Sequence, residues 1–219
     1  MIRRTALAAL IALATAAPMA APLVFIAGPA AAKPPTQFTD DDKAKLKQVE
    51  TYLNGIQTLK SQFQQVNPDG SLVRGTFQLK RPGKMRIDYD PPNKNFIVAD
   101  GHFVYFWDAE SKEQSNAPIG STMADFILRP DLHLSGDVTV TSMDDSAGVL
   151  EVTLVQTKDP GLGRLTLMFQ EQPFGLRKWR VLDAQGATTE VALLDPQTGV
   201  SLDDNQFYFR DPSRRKERD

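Results

Sequence analysis

The chain has 219 residues, of which 24% are charged and 41% hydrophobic, and its formal net charge is −2. This balance excludes the broad basic field that nucleic-acid binding requires, and the length fits one domain with a substantial core. The sequence contains no cysteine, so burial of apolar side chains, and not disulfide bonding, must stabilise the fold.

The N-terminus has the composition of a secretory signal peptide. Arg3 and Arg4 precede a short apolar stretch at residues 6–17, and small residues then continue to Ala32. This order of charge, apolar core and small-residue cleavage site predicts export, with removal of residues 1–32. The alternative, a membrane anchor, is disfavoured because the apolar stretch is shorter than the roughly 20 residues that a spanning helix needs.

Cleavage would leave residues 33–219 as a single domain. The removed segment contains two arginines and no acidic residue, so the remaining chain would be two charges more negative than the full sequence. It would also carry no cysteine for attachment of a lipid. We therefore expect a soluble periplasmic protein, and the length gives no reason to expect more than a monomer.

One amphipathic helix is predicted at the start of this domain, over residues 40–54. Thr39 and Asp42 have the spacing of a capping box. Apolar residues then recur at helical spacing, at Leu46, Val49, Leu53 and Ile56. Gly55 marks the end of the helix.

From residue 58 onward the apolar period is two, which indicates strands separated by turns that contain Gly, Pro, Asn and Asp. The predicted strands are 58–66, 71–80, 84–90, 94–99, 102–108, 137–143, 149–157, 163–170, 175–183, 187–194 and 206–210. A break is predicted at residues 116–120, followed by a short helix capped by Ser121 and ended by Arg129-Pro130. A second short helical piece is expected at residues 131–134.

These elements predict a mainly β (α+β) fold. Because strand twist accumulates, a sheet of about eleven strands must curl. The few helices cannot cover both faces of a flat sheet. We expect a strongly curved, incompletely closed antiparallel β half-barrel, with the helical segment of residues 121–128, here called the lid, over its mouth.

The strands near residues 96–107 are apolar on both faces. One face carries Phe96, Val98, Phe103, Tyr105 and Trp107, and the other carries Ile97, Ala99, Val104 and Phe106. An antiparallel sheet with one solvated side should instead alternate between apolar and polar residues. Both faces are therefore expected to be covered, one of them by something other than the protein's own core.

Residues for covalent chemistry are scarce. The two histidines, His102 and His133, and the absence of cysteine argue against a structural metal site. There is no nucleophile elbow and no phosphate-binding loop, and the paired acidic residues occur at a helix start, a turn and a loop. We expect no cofactor and no enzymatic activity, although a carboxylate pair across a cleft would leave no local signature.

The stretch of residues 75–108 resembles the LolA family of outer-membrane lipoprotein carrier proteins. That family has the pattern G-x-F-x-L-x-R-P-G-K-x-R-x-x-Y-x-x-P, followed by an apolar strand ending in D-G, an aromatic strand and an acidic turn. The matching residues here are Gly75, Phe77, Leu79, Arg81, Pro82, Gly83, Lys84, Arg86, Tyr89, Pro92, Asp100, Gly101 and Asp108. The resemblance implies the half-barrel fold and an apolar site for acyl chains.

Under this resemblance, the acyl-binding residues are expected to be Phe63, Phe77, Leu79, Met85, Ile87, Tyr89, Phe96, Val98, Phe103, Tyr105, Trp107, Leu165, Leu167 and Phe169. The lid residues are Met123, Phe126, Ile127 and Leu128. Methionine suits a lid because it is flexible and refills irregular space. The functionally important arginine of the family maps onto Arg81, whose guanidinium could reach backbone carbonyls of the lid and hold the empty protein closed.

The implied function is a periplasmic chaperone for lipid-modified proteins. Its partners would be acylated lipoproteins, an inner-membrane ATP-driven exporter that supplies them, and the outer membrane or a receptor there. Two alternatives remain: a lipoprotein-sensing regulator of envelope stress with the same fold, and a periplasmic hydrolase with an apolar substrate. The regulator usually has a second domain, for which this chain has no room.

Overall fold

The structure is a computed structural model and describes residues 37–213. The predicted signal peptide of residues 1–32 lies outside the described residues. Within them, eleven antiparallel strands form one sheet. The first six are β1 (Thr58–Val66), β2 (Leu72–Lys80), β3 (Lys84–Tyr89), β4 (Phe96–Asp100), β5 (Phe103–Asp108) and β6 (Glu113–Pro118). The other five are β7 (Val138–Ser146), β8 (Val149–Gln156), β9 (Gly163–Glu171), β10 (Phe174–Asp183) and β11 (Thr188–Thr198).

The strand order places the first and last strands together at the centre of the sheet. It is β6-β5-β4-β3-β2-β1-β11-β10-β9-β8-β7, with Phe63 opposite Leu193 across the β1/β11 pair. The chain thus runs outward from β1 to the edge strand β6, crosses to the opposite edge at β7, and returns inward to β11. β6 and β7 are not paired with each other, so the sheet is an unclosed, curved half-barrel, as predicted.

The predicted first helix is confirmed as α1 (Asp40–Gly55). The Asp42 amide donates to the Thr39 hydroxyl at 3.2 Å, and the Thr39 amide donates to the Asp42 carboxylate at 2.9 Å, which completes the capping box. Val49 and Leu53 are buried on the face that packs on the sheet. α1 therefore covers part of the concave side.

The crossover between the two sheet edges contains a 3-10 turn (Ile119–Ser121) and a short helix, α2 (Asp125–Leu128). The prediction that Ser121 caps the lid helix is wrong, because α2 begins after Ala124 without a side-chain cap, and the Ser121 hydroxyl donates to the carbonyl of Pro118. The crossover spans the concave face, and Phe126 and Leu128 join the core.

The predicted second helical piece at residues 131–134 is also wrong. This stretch is non-helical, because its backbone groups bond to side chains of α1. The Leu132 amide donates to the Asn54 side chain at 2.9 Å, and the Leu134 amide donates to the Glu50 carboxylate at 2.7 Å. Leu132 and Leu134 are both buried, so packing and these bonds outweigh the local helical pattern.

Two further strand predictions are corrected. The break predicted at residues 116–120 overlaps the edge strand β6, in which only Ala117 is buried and whose polar sequence carries no alternating apolar signal. The strand predicted at residues 206–210 is absent. Asp204–Phe207 instead forms a 3-10 turn capped by Asp203. This turn packs on β3 and β4, and each of these strands already has a neighbouring strand on both sides.

Candidate functional site

The concave face of the half-barrel is a continuous apolar surface. Nine of the predicted acyl-binding residues belong to it and are buried in one cluster: Phe63, Phe77, Leu79, Met85, Ile87, Tyr89, Leu165, Leu167 and Phe169. They come from β1, β2, β3 and β9, on both sides of the central β1/β11 pair. The structure thus brings these nine side chains together beneath α1 and the lid.

The other five predicted residues, Phe96, Val98, Phe103, Tyr105 and Trp107, lie on the convex face. Ile87 pairs with Ile97, whereas Val98 pairs with Arg86 on the opposite side of the sheet. Because side chains alternate along a strand, β4 and β5 turn Ile97, Ala99, Val104 and Phe106 inward. All four belong to or pack against the core cluster. The assignment of the first five to the acyl-binding surface is therefore corrected.

Three of the convex residues, Phe96, Tyr105 and Trp107, contact residues 203–210 of the chain itself, here called the C-terminal strap, whereas Phe103 is 40% exposed. The ring of Phe209 stacks on Tyr105 with a centroid distance of 5.1 Å, and it also contacts Phe96 and Trp107. Phe207 of the strap is fully buried. The second apolar face of β4 and β5 is thus explained by an intramolecular contact.

Ion pairs and a hydrogen bond hold the strap in place. The Asp204 carboxylate lies 2.8 Å from Lys84 Nζ and 3.0 Å from Lys80 Nζ. Hydrogen bonds from these lysines lower the pKa of Asp204. The Arg86 guanidinium donates to the carbonyl of Gln206 at 3.1 Å.

The four lid residues contact the concave surface. Phe126 and Leu128 are buried within the core cluster, and Met123 and Ile127 are partly buried and pack against it. The lid backbone is also bonded to the sheet, since the Gly83 amide donates to the carbonyl of Leu128 at 2.8 Å. In this state the lid side chains fill the space above the concave sheet.

Arg81 joins α1, α2 and the sheet. It follows β2, and its side chain is buried, with 7% of the residue exposed. Its Nη1 donates to the carbonyl of Leu53 at 2.7 Å, and its Nε donates to the carbonyl of Ile127 at 2.8 Å. Both carbonyls lie in the last turn of a helix, where a cation is favourable, and the Leu53 carbonyl also accepts from the Ile56 amide at 3.2 Å. Burial lowers the pKa of Arg81, although an arginine remains charged.

A pocket of about 210 Å³ remains between the lid and the strands β7–β9. Met123 and Phe126 line it from the lid, and Val138, Leu154 and Leu165 line it from the sheet. Its rim is polar, with an ion pair between Arg129 and Asp125. The lid side chains therefore do not fill this part of the space above the sheet.

The end of the concave surface remote from Arg81 contains a satisfied polar network. The Tyr89 hydroxyl donates to the Gln65 side chain at 3.3 Å, and the Gln65 amide donates to Asn67 at 2.6 Å. Burial raises the pKa of Tyr89 to about 12, so the hydroxyl stays protonated at neutral pH. No group of His, Cys, Asp and Glu side chains within residues 37–213 has the arrangement of a metal site.

Several residues of this cluster were not assigned by the sequence analysis, among them Trp179, Leu132 and Leu134. Trp179 on β10 packs against Phe77 with a ring-centroid distance of 5.5 Å. Leu132 and Leu134, which follow the lid, are buried in the same cluster. Alternation along β10 could have indicated Trp179, whereas the burial of Leu132 and Leu134 depends on bonds to a helix about 80 residues earlier, for which no local signal exists.

The fold and site define a class of protein: an open antiparallel half-barrel whose apolar concave face is covered by helices. The chain belongs to a particular family within this class, because residues 54–210 match the outer membrane lipoprotein carrier protein LolA family. None of the helices described in residues 37–213 is both long and apolar enough to cross a bilayer.

Individual relatives agree with this family. The chain is 28% identical over 184 residues to an outer-membrane lipoprotein carrier protein of Pseudomonas aeruginosa, covering 78% of this chain and 86% of the relative. It is 29% identical over 174 residues to the protein of the same name from Methylococcus capsulatus, covering 75% and 83%. A solved structure of a LolA superfamily protein from Nitrosomonas europaea is 10% identical, covers 75% of this chain and 97% of that one, and superposes with a TM-score of 0.41.

Proposed function

We propose that this protein is a periplasmic carrier that takes lipid-modified proteins from the inner to the outer membrane by shielding their acyl chains beneath the lid. One observation carries the proposal: the apolar concave sheet is covered by α1 and α2, and the buried Arg81 donates to one backbone carbonyl of each helix. A cover of this kind can be displaced without breaking the sheet. Family membership and the names of the relatives support the same function.

The energetics of burial favour a shuttle of this design. Each buried methylene gains about 0.8 kcal/mol, so an acyl chain of roughly 16 carbons gains on the order of 10 kcal/mol when it leaves water. Phe126 and Leu128 of the lid already cover the concave surface. Cargo must replace these contacts, so its net affinity is smaller than its gross burial energy, which permits release.

The proposed partners follow from this cycle. Acylated lipoproteins are the cargo, an inner-membrane ATP-driven exporter loads them, and the outer membrane or a receptor there accepts them. The carrier itself performs no covalent chemistry, and it acts as a monomer. Energy for extraction from the membrane is supplied by the exporter, and transfer then proceeds down a gradient of affinity.

Binding of an apolar fluorescent probe tests the proposal directly. We expect residues 33–219 to bind the probe, and an acylated peptide to displace it, whereas the same peptide without its acyl chain should not. The matched chemical pair isolates the contribution of the acyl chain. Failure of the acylated peptide to compete would contradict the carrier function, as would turnover of the lipid during the assay.

A further inference from the structure

The return loop, defined as residues 129–136, is bonded to α1 by two side chains of that helix. The Asn54 amide makes a reciprocal pair with Leu132, donating from Nδ2 to the carbonyl at 2.8 Å and accepting from the amide at 2.9 Å. One turn earlier, Glu50 accepts from the Leu134 amide at 2.7 Å. Because residues four apart lie on the same face of a helix, Asn54 and Glu50 bond to the return loop from adjacent turns of α1.

These contacts are independent of Arg81. Arg81 reaches from the sheet to the ends of α1 and α2, whereas Asn54 and Glu50 join α1 to the chain that directly follows α2. Leu132 and Leu134 are themselves buried in the core cluster. Separating α1 from the return loop would therefore leave polar backbone groups without partners beside apolar surface, which is unfavourable.

We propose that Asn54 and Glu50 are positioning residues that make α1, the lid and the return loop one moving body, so that the carrier opens by displacing all three together. The inference rests on the proposed function only in taking the opened state as the one that accepts cargo. Displacing the cover breaks the two Arg81 bonds and the bond from the Gly83 amide to the Leu128 carbonyl, whereas the bonds within the cover stay intact. Loss of Asn54 and Glu50 would let the lid open while α1 remains in place.

The test pins α1 to the sheet without touching the lid. The Tyr52 hydroxyl lies 3.4 Å from the position that a Cβ on Gly175 of β10 would occupy. Tyr52→Cys and Gly175→Cys can therefore be joined by a reducible thiol crosslinker about as long as the tyrosine side chain. The sequence has no other cysteine, so the crosslink is specific. Reduction of the linker provides the unpinned control in the same sample.

Deuterium uptake by the peptide of residues 121–128 is the measurement, and it needs no cargo. With Asn54 and Glu50 present, pinning α1 should slow exchange in the lid by about tenfold or more, because the lid cannot open alone. With Asn54→Ala and Glu50→Ala, pinning should change lid exchange by less than about twofold. The matched control is Gln57→Ala, which removes a side-chain bond to the Asn54 carbonyl. In this variant the crosslink should slow lid exchange as much as it does in the protein that retains Asn54, Glu50 and Gln57.

Two results would overturn the inference. Lid exchange unaffected by the crosslink when Asn54 and Glu50 are present would show that the lid opens separately from α1. If the crosslink slowed lid exchange equally after Asn54 and Glu50 were replaced, other contacts would couple the lid to α1. If the double alanine variant does not fold, Asn54→Asp retains the acceptor for Leu132 and removes the donor, and should weaken the effect of pinning. Since no ligand is used, failure here is distinguishable from failure of the probe-binding experiment.

Discussion

Arg81 is placed where two helices end, and this position decides what its substitution should do. A hydrogen bond to a charged group contributes about 1.5 to 3 kcal/mol, so Arg81→Leu removes substantial support from the closed, empty state. We expect tighter retention of cargo and transfer to outer membranes at least about tenfold slower, because closure no longer favours release. The measurement is transfer of a lipoprotein from purified carrier to membranes.

Arg81→Lys provides the matched control for this prediction. Lysine keeps the charge but presents one nitrogen in place of a planar fork, so it cannot bond both the Leu53 and Ile127 carbonyls in the observed arrangement. Its transfer rate should fall between those of the parent and the leucine variant. If Arg81→Leu transferred cargo at the parental rate, Arg81 would have no role in release and would serve only to stabilise the fold.

Gly75 on β2 is required by a close approach within the sheet. A Cβ at this position would lie 2.1 Å from the carbonyl oxygen of Asp88 and 2.8 Å from Cε1 of Phe63. Gly75→Ala should lower the free energy of unfolding by about 2 kcal/mol or more, as expected for overpacking. Gly55→Ala is the control, since nothing lies within 4 Å of its Cβ position. Equal urea midpoints of unfolding for the two variants would show that the close approach at Gly75 has no effect on stability.

Sequence predicts some residues of the site better than others. Arg81 could be assigned because its R-P-G turn is a local pattern shared with a family. Phe96 and Trp107 were placed on the wrong face because β4 and β5 are apolar on both sides, so alternation alone cannot say which side faces inward. Only the register of β4 against β3, in which Ile97 lies opposite Ile87, decides the face.

Among the elements, the lid contains the shorter of the two α-helices described in residues 37–213. α2 is four residues long, and isolated helices of this length are unstable without tertiary contacts. We expect its amides to exchange faster than those of β3, β4 and β5 in the empty protein, and to change on addition of acylated peptide. Lid amides protected as strongly as the strands, with or without peptide, would show that cargo enters elsewhere.

The C-terminal strap should respond to acid through Asp204. Its pKa in the folded protein lies below the ordinary value of 3.8, so its carboxylate stabilises the fold above that value, and the effect is lost as pH falls through the lowered pKa. Between about pH 5 and pH 3 the parent should lose more thermal stability than Asp204→Asn, which does not titrate. Parallel pH profiles for the two proteins would show that the ion pairs with Lys80 and Lys84 contribute nothing.

The strap also shows why element prediction failed near the C-terminus. Phe207 and Phe209 have the spacing of a strand, but a strand needs a free edge to pair with, and β3 and β4 already have neighbours on both sides. The edge strand β6 is the opposite case, because it has a paired backbone without the hydrophobic pattern of a strand. Its backbone pairs with β5 although its side chains are mostly exposed, so the hydrophobic pattern carries no sign of it.

For the whole molecule, the class of fold followed from the number of strands and the scarcity of helices. The strand order did not, because the pairing of β1 with β11 joins segments more than a hundred residues apart. Family membership narrows the function to transport of lipoproteins, and the concave site agrees with that function in its chemistry.

The central position of β1 and β11 has a consequence for when the protein can fold. Leu59 at the start of β1 lies opposite Thr198 at the end of β11, so the middle of the sheet forms only after almost the entire chain is present. Contacts this distant in sequence slow folding and delay the burial of apolar strands. An emerging chain therefore cannot complete its core part-way through synthesis, and the half-barrel assembles only once its last strand has been made.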